Sequence, residues 1–199
     1  MARAGRRLIM GVVAALLLSA CAGVVTRPDP EADLDTRAVM LLDHGRHSSL
    51  VLTRADQSMV RYLYGDWRWY AERDTGFLRA FPTLFAPTRS ALGRRQLAAP
   101  ATEASLRRQI PVYIQAVHGF AVASERIDRL DRRLDEHFAD HIEKSLFNDY
   151  YDLEFVPGPR PYTLFDNSNH VVADWLEELG VDVRGSPIFG HWRVENDSR

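Results

Sequence analysis

The sequence predicts an α+β fold, a small antiparallel sheet packed against helices, and three stretches carry the prediction. Between Ala38 and Tyr64, apolar or alternating runs follow one another across short polar turns, the pattern of a meander. From Ser124, apolar Ile127, Leu130, Leu134, Phe138 and Ile142 recur every three or four residues, the period of a helix with one buried face. From Ser168, Val171, Val172, Trp175, Leu176 and Leu179 do the same, and Gly180 supplies a C-terminal stop.

The chain has 199 residues, enough for one domain with a proper core. Lys and Arg number 25 against 27 Asp and Glu, a balance that gives nucleic acid no reason to bind. Residues 1–20 stand apart from the fold. Arg3, Arg6 and Arg7 form a basic start, and Leu8 to Leu18 is an apolar run too short for an ordinary membrane span. The run ends in Leu18-Ser19-Ala20-Cys21, which resembles a bacterial lipobox. That resemblance implies cleavage before Cys21 and a diacylglycerol on its thiol. Ala22 is not the Asp that commonly retains lipoproteins in the inner membrane, so the implied address is the outer membrane, with the domain in the periplasm. Several acyl chains on one residue make a stable anchor. Loss of the three arginines takes the formal side-chain charge from −2 to −5. Cys21 is the only cysteine, which excludes an internal disulfide and any catalytic thiol in the folded part. Residues 21–36, with two prolines and little to bury, read as a lipidated tether, and 37–199 as the domain.

Within the domain, Ala38–Leu42, Leu50–Leu52 and Met59–Tyr64 read as the three strands of the meander. Gly65-Asp66 then turns the chain into an aromatic stretch holding Trp67, Trp69, Tyr70, Phe77, Phe81 and Phe85. Short helices interrupted by Pro82 and Pro87 are expected there, their rings mostly in the core. Pro111–Val117 alternates like a strand. The helix from Ser124 carries its charges outward, with Glu125–Arg129 and Asp128–Arg132 at supporting spacing. His137 and His141 have the i, i+4 spacing of a metal pair, but no third ligand accompanies them and they read as surface residues. Leu153–Val156 and Tyr162–Phe165 read as strands either side of a Pro157–Pro161 turn, and Pro187–Val194 as an edge strand.

His47 at a strand start, Asp66 after the next strand and Ser168 at a helix N-terminus could form a base, an orienting carboxylate and a nucleophile. A helix N-terminus offers a hydroxyl there free backbone N–H groups and a positive dipole end. Equally, Asn167 or Ser168 can simply cap the helix. Three segments occur in order: H-G-R-H-S-S-L-V-L from His44, G-D-W-R-W-Y from Gly65, and Y-T-L-F-D-N-S-N-H-V-V-A-D-W-L-E-E-L-G from Tyr162. Together, over about Ala38 to Val183, they resemble an uncharacterised proteobacterial family first noticed beside urease genes. Its members read roughly G-x-H-T-x-x-V-L, G-W-G-D-x-x-F-Y and Y-x-L-F-x-T-C-N-T-W-x-x-x-x-L-x-x-A-G. The last motif is also similar to the N-C-E-H-F-V motif of lecithin:retinol acyltransferase-like proteins, in the circularly permuted branch of the NlpC/P60 papain-like superfamily.

The resemblance implies a papain-like α+β fold and no cofactor or metal. It places His47 as general base and Ser168 where the family has its nucleophilic Cys. Asp66 matches the family's G-D motif and is the candidate third group, with Tyr64 as its competitor. His170, two residues after Ser168 on the helix, points elsewhere. A thiol in such a place ionises near neutral pH, whereas a serine hydroxyl needs its proton removed during attack. Two readings follow. One is an envelope lipoprotein whose cleft binds a peptidoglycan peptide or an acyl ligand with little or no catalysis. The other is an amidase, esterase or acyltransferase working through Ser168, His47 and Asp66.

Overall fold

A computed structural model describes residues 23–27, 35–74, 86–188 and 190–196. Cys21, Phe77, Phe81, Pro82 and Phe85 lie outside the described residues, and so do the expectations attached to them. The described residues form a mixed α+β structure. Its strands are β1 (Gly23–Arg27), β2 (Thr36–Asp43), β3 (Ser48–Thr53), β4 (Met59–Asp66) and β5 (Ser90–Leu97), followed by β6 (Ala116–Ala123), β7 (Leu146–Asn148), β8 (Leu153–Pro157), β9 (Asp182–Arg184) and β10 (Trp192–Asn196). Its α-helices are α1 (Trp67–Tyr70), α2 (Glu103–Gln109), α3 (Ser124–Asp140) and α4 (Ser168–Glu178).

The main sheet is larger than the small one expected: seven strands in the order β6-β2-β3-β4-β5-β8-β7, every pair antiparallel. The meander β2-β3-β4 stands where its apolar runs place it. Gly45, at φ 92, turns the chain between β2 and β3, where His44 N–H donates to the His47 carbonyl at 3.0 Å. The strand expected over Pro111–Val117 is shifted along the chain to Ala116–Ala123: the chain joins β2 only from Gln115, whose N–H donates to the Asp43 carbonyl at 2.8 Å, and β6 then pairs along the whole of β2. Tyr162–Phe165 is not a strand. It is a turn tied by single bridges, Thr88 to Tyr162 and Thr163 to Asp166.

One face of the main sheet packs on α3 and α4. Leu41, Leu50, Leu52, Val60, Tyr62, Tyr64 and Leu92 point to this side. They are met by Ile127, Leu130, Leu134 and Phe138 of α3 and by Val171, Val172, Trp175 and Leu176 of α4. Ile142 does not join them, since α3 stops at Asp140 and a 3-10 turn (Ile142–Lys144) leaves Ile142 exposed. On the opposite face, Leu63, Trp67, Tyr70, Leu153 and Phe155 form one apolar cluster and Leu42, Val51, Met59, Leu106 and Ile110 another. Glu125 and Arg129 pair at 2.8 Å as their spacing predicts. Asp128 turns instead to Arg37 of β2 at 2.5 Å, a partner the local sequence does not show. α3 is tied to the sheet by a polar cluster in which the Tyr62 hydroxyl reaches Asp131 and Asp135, both at 2.8 Å, while Arg54 and Arg94 neutralise the two carboxylates.

A second sheet runs β10-β1-β9, with β1 parallel to β10 and antiparallel to β9. The stretch read as a tether is therefore extended and paired over Gly23–Arg27, and Val25 is fully buried in the same cluster as α3 and α4. The edge strand expected over Pro187–Val194 appears as β10, later in the chain, beside β1.

Candidate functional site

The helix that carries Ser168 begins as its sequence dictates. Asn167 is the cap: it takes an extended backbone and its side-chain oxygen accepts from Asn169 N–H at 2.9 Å and His170 N–H at 3.3 Å. Ser168 follows as the first helical residue and is only 2% exposed. Asn169, fully buried, fixes the helix start against the sheet. It accepts from the Ser48 hydroxyl at 2.9 Å and donates to the Arg46 carbonyl at 3.1 Å, gripping the chain on both sides of His47. Trp192 of β10 adds a bond from its indole N–H to the same Ser48 hydroxyl at 2.6 Å. The start of α4 and the segment bearing His47 are thus held together, by an asparagine that local sequence reads only as a helical residue.

His47 itself turns toward the other face of the sheet. Its ring stacks on His44 with centroids 4.8 Å apart and meets Tyr70 edge-on at 5.6 Å. Tyr70 comes this close because Gly65 has no side chain; a Cβ there would lie 2.2 Å from the Tyr70 ring. The His47 Nε2 atom is buried and has no hydrogen-bond partner among the described residues, so it does not hold the Ser168 hydroxyl. Burial, and then the positive Arg61 guanidinium, lower its pKa from 6.5 to about 4. A triad supplies a carboxylate in this position; here the charge felt by the histidine has the opposite sign.

Asp66 caps α1 instead. One carboxylate oxygen accepts from Trp69 N–H at 2.9 Å and the other from the Thr88 hydroxyl at 2.5 Å. Tyr64 donates to the Arg160 carbonyl at 2.6 Å and stacks on Tyr162 with centroids 6.2 Å apart. His170 lies between Asn167 at 3.1 Å and Ser186 at 2.9 Å, away from His47 as its helical position requires.

Tyr162 is the partner of Ser168. Its hydroxyl lies near enough to the Ser168 N–H and hydroxyl for both to favour the phenolate. Burial, and then the Asp66 charge, push the Tyr162 pKa up to about 12 against the pull of Ser168. A backbone N–H at this point is what an oxyanion would use, and Tyr162 is the phenol beside it. The sequence offers one signal for this: the P-G-P-R-P run before Tyr162 withholds ladder donors, so the segment crosses the sheet end as a strap rather than continuing a strand.

His137 and His141 stack on each other at 4.4 Å. His137 Nε2 bonds the Pro157 carbonyl, and His141 Nδ1 bonds the His137 carbonyl. Among the described residues no group of three or more potential ligands could hold a metal ion. No helix among them is long and apolar enough to cross a membrane. A cleft of about 270 Å³ opens between α3, α4 and the strap. Leu92, Leu134, Val171 and Trp175 form its apolar floor, and Arg133–Glu178 and Arg160–Asp174 ion pairs stand at its rim. Comparison with protein-family models, with curated proteins and with solved structures finds no match, and the kinship expected for the chain rests on the quoted motifs alone.

Proposed function

We propose that the chain is a cell-envelope lipoprotein, anchored in the outer membrane through Cys21. In this reading its periplasmic domain has a permuted papain-like organisation and binds a peptidoglycan peptide or an acyl ligand with little or no turnover. The observation that carries the non-catalytic part is the placing of His47, whose ring packs on His44 and Tyr70 and whose Nε2 makes no bond to Ser168. The surroundings of His47 support it, since a histidine beside Arg61 and held near pKa 4 is a poor base for a serine hydroxyl. The papain-like organisation draws support from α4, whose first turn is bonded to the residues either side of His47. The 270 Å³ cleft, apolar below and charged at its rim, suits a ligand that combines an apolar body with polar ends.

The second reading, a serine-dependent amidase, esterase or acyltransferase, is favoured by one feature, the buried hydroxyl of Ser168 at the N-terminus of an 11-residue helix. A fluorophosphonate probe separates the two. Wild-type protein is expected to resist labelling, at a rate no faster than that of Ser168→Ala. Wild-type labelling that Ser168→Ala abolishes would establish the enzyme reading.

A further inference from the structure

Four of the six large apolar side chains that stand exposed among the described residues fall between positions 142 and 150: Ile142, Leu146, Phe147 and Tyr150. They surround β7, which ends the main sheet, and no strand lies beyond it among the described residues. Sheet edges are normally guarded by charge, proline or a bulge, yet Phe147 in this one is 65% exposed and Leu146 41%. The two point to opposite sides. Leu146 stands opposite Phe155 of the Tyr70 cluster, and Tyr150 joins that side through Tyr151, which packs on Tyr70. Phe147 stands opposite Glu154, which faces Arg94 on the side that carries α3. A bilayer or a flat protein surface covers one side of a strand. Apolar groups on both sides suit a strand added along the edge.

We propose that β7 pairs antiparallel with β7 of a second copy, joining the two main sheets into one. Residues directly opposite across such a pair share a face, and a two-fold axis through Phe147 satisfies this. Phe147 then meets Phe147 of the second copy on the α3 side. On the Tyr70 side Leu146 stands opposite Asn148 of the second copy, with its Leu146 and Tyr150 at the two diagonals. Charge favours the same direction. Exposed Lys144 precedes the strand and exposed Asp149 follows it, so antiparallel pairing joins unlike ends and parallel pairing joins like ones. Asp149 is held at present only by an exposed pair with Arg73 at 3.0 Å, and a carboxylate accepts several donors. The other edge strands, β6, β9 and β10, show no exposed large apolar side chain among the described residues, so the apolar edge matches itself and the assembly closes at two. The axis crosses the sheet and leaves β1 of both copies on the α3 and α4 side, so the anchors proposed at Cys21 reach one membrane. The pairing does not depend on what the cleft binds or on whether Ser168 reacts.

The test is sedimentation velocity of the full-length protein in dodecyl maltoside, with bound detergent subtracted, together with cysteine cross-linking. Wild type is expected to sediment as a dimer at micromolar concentration. Phe147→Asp should be monomeric with an unchanged circular dichroism spectrum, since the side chain it replaces is mostly in solvent. Under mild oxidation Phe147→Cys should give a disulfide-linked dimer, because opposite residues of antiparallel strands stand at disulfide distance. Cys21 sets the background, read from wild type treated alike, and Glu125→Cys on the outer face of α3 should not exceed it. Wild type that stays monomeric at every concentration would overturn the proposal. So would a dimer that survives Phe147→Asp, or equal cross-linking at positions 125 and 147. A monomer whose Phe147→Cys variant, carrying a polarity-sensitive dye, shifts to the blue in phosphatidylglycerol vesicles would assign the patch to the bilayer instead.

Discussion

His47 shows how one residue can be legible in position and misleading in chemistry. Its place at the start of a strand, in a run that ends V-L, puts it beside the first turn of α4. Nothing local says that its ring faces Arg61. The only trace is Arg61 itself, a charge inside the otherwise apolar run M-V-R-Y-L-Y, where alternation already assigns it to the same face as Met59 and Leu63. The consequence is measurable. His47 is protonated more readily unfolded, near pH 6.5, than folded, near 4, so its contribution to stability is full above pH 6.5 and is lost as pH falls toward 4. The difference amounts to on the order of 3 kcal/mol. Urea melts of wild type and His47→Gln across that window should show a steeper fall for wild type. Equal slopes would show that the imidazole is open to water. Asp135, whose pKa is lowered by its hydrogen bonds from Arg94 and Tyr62 against the cost of burial, acts in the same direction but below pH 3.8 and does not confuse the reading.

At the scale of elements, periodicity identified α3 and α4 because each needs only its own sequence to define a buried stripe. Trp175 and Leu176 are 4% and 0% exposed, whereas Glu177 faces solvent. Truncating either apolar residue to Ala should cost about 2–5 kcal/mol, and Glu177→Ala within about 0.5. Equal denaturation midpoints for all three variants would refute this packing. β5 was not legible, and its packing shows why. In S-A-L-G-R-R-Q-L the alternation is broken by Gly93 and two adjacent arginines. Gly93 makes room for the Phe155 ring, which a Cβ would meet at 2.4 Å. Arg94 lies over Phe138 at 3.9 Å and pairs with Asp135 at 2.7 Å. The residues that look wrong for a strand are right for this one, but their reasons lie about 40 to 60 positions away. The same holds for Tyr162, which reads as a strand residue but is paired only through a single bridge to Thr88, 74 positions earlier.

For the molecule as a whole, the antiparallel core was readable and the second sheet was not. G-V-V-T-R sits between an apolar leader and two prolines, and its partners β9 and β10 lie more than 150 residues on. Pairing at that separation leaves no local pattern; only the buried Val25 shows it afterwards. A chain lacking residues 1–27 should therefore melt below one lacking only 1–20. Loss of the Val25 side chain alone removes about 1.5–3 kcal/mol of burial. Identical melting curves for the two chains would return Gly23–Arg27 to the status of a leash.

The position of β1 bears on force. Gly23 stands two residues after Cys21, so the acyl group proposed for Cys21 would be tied within roughly 7 Å of chain from the first paired residue. Tension from the lipid would run along the strand axis, across backbone bonds that lie sideways to the pull on both flanks. Such bonds share the load and fail together, whereas bonds opened from one end fail one at a time. The attachment would yield as a unit, and the domain would ride close against the bilayer instead of swinging on a cord.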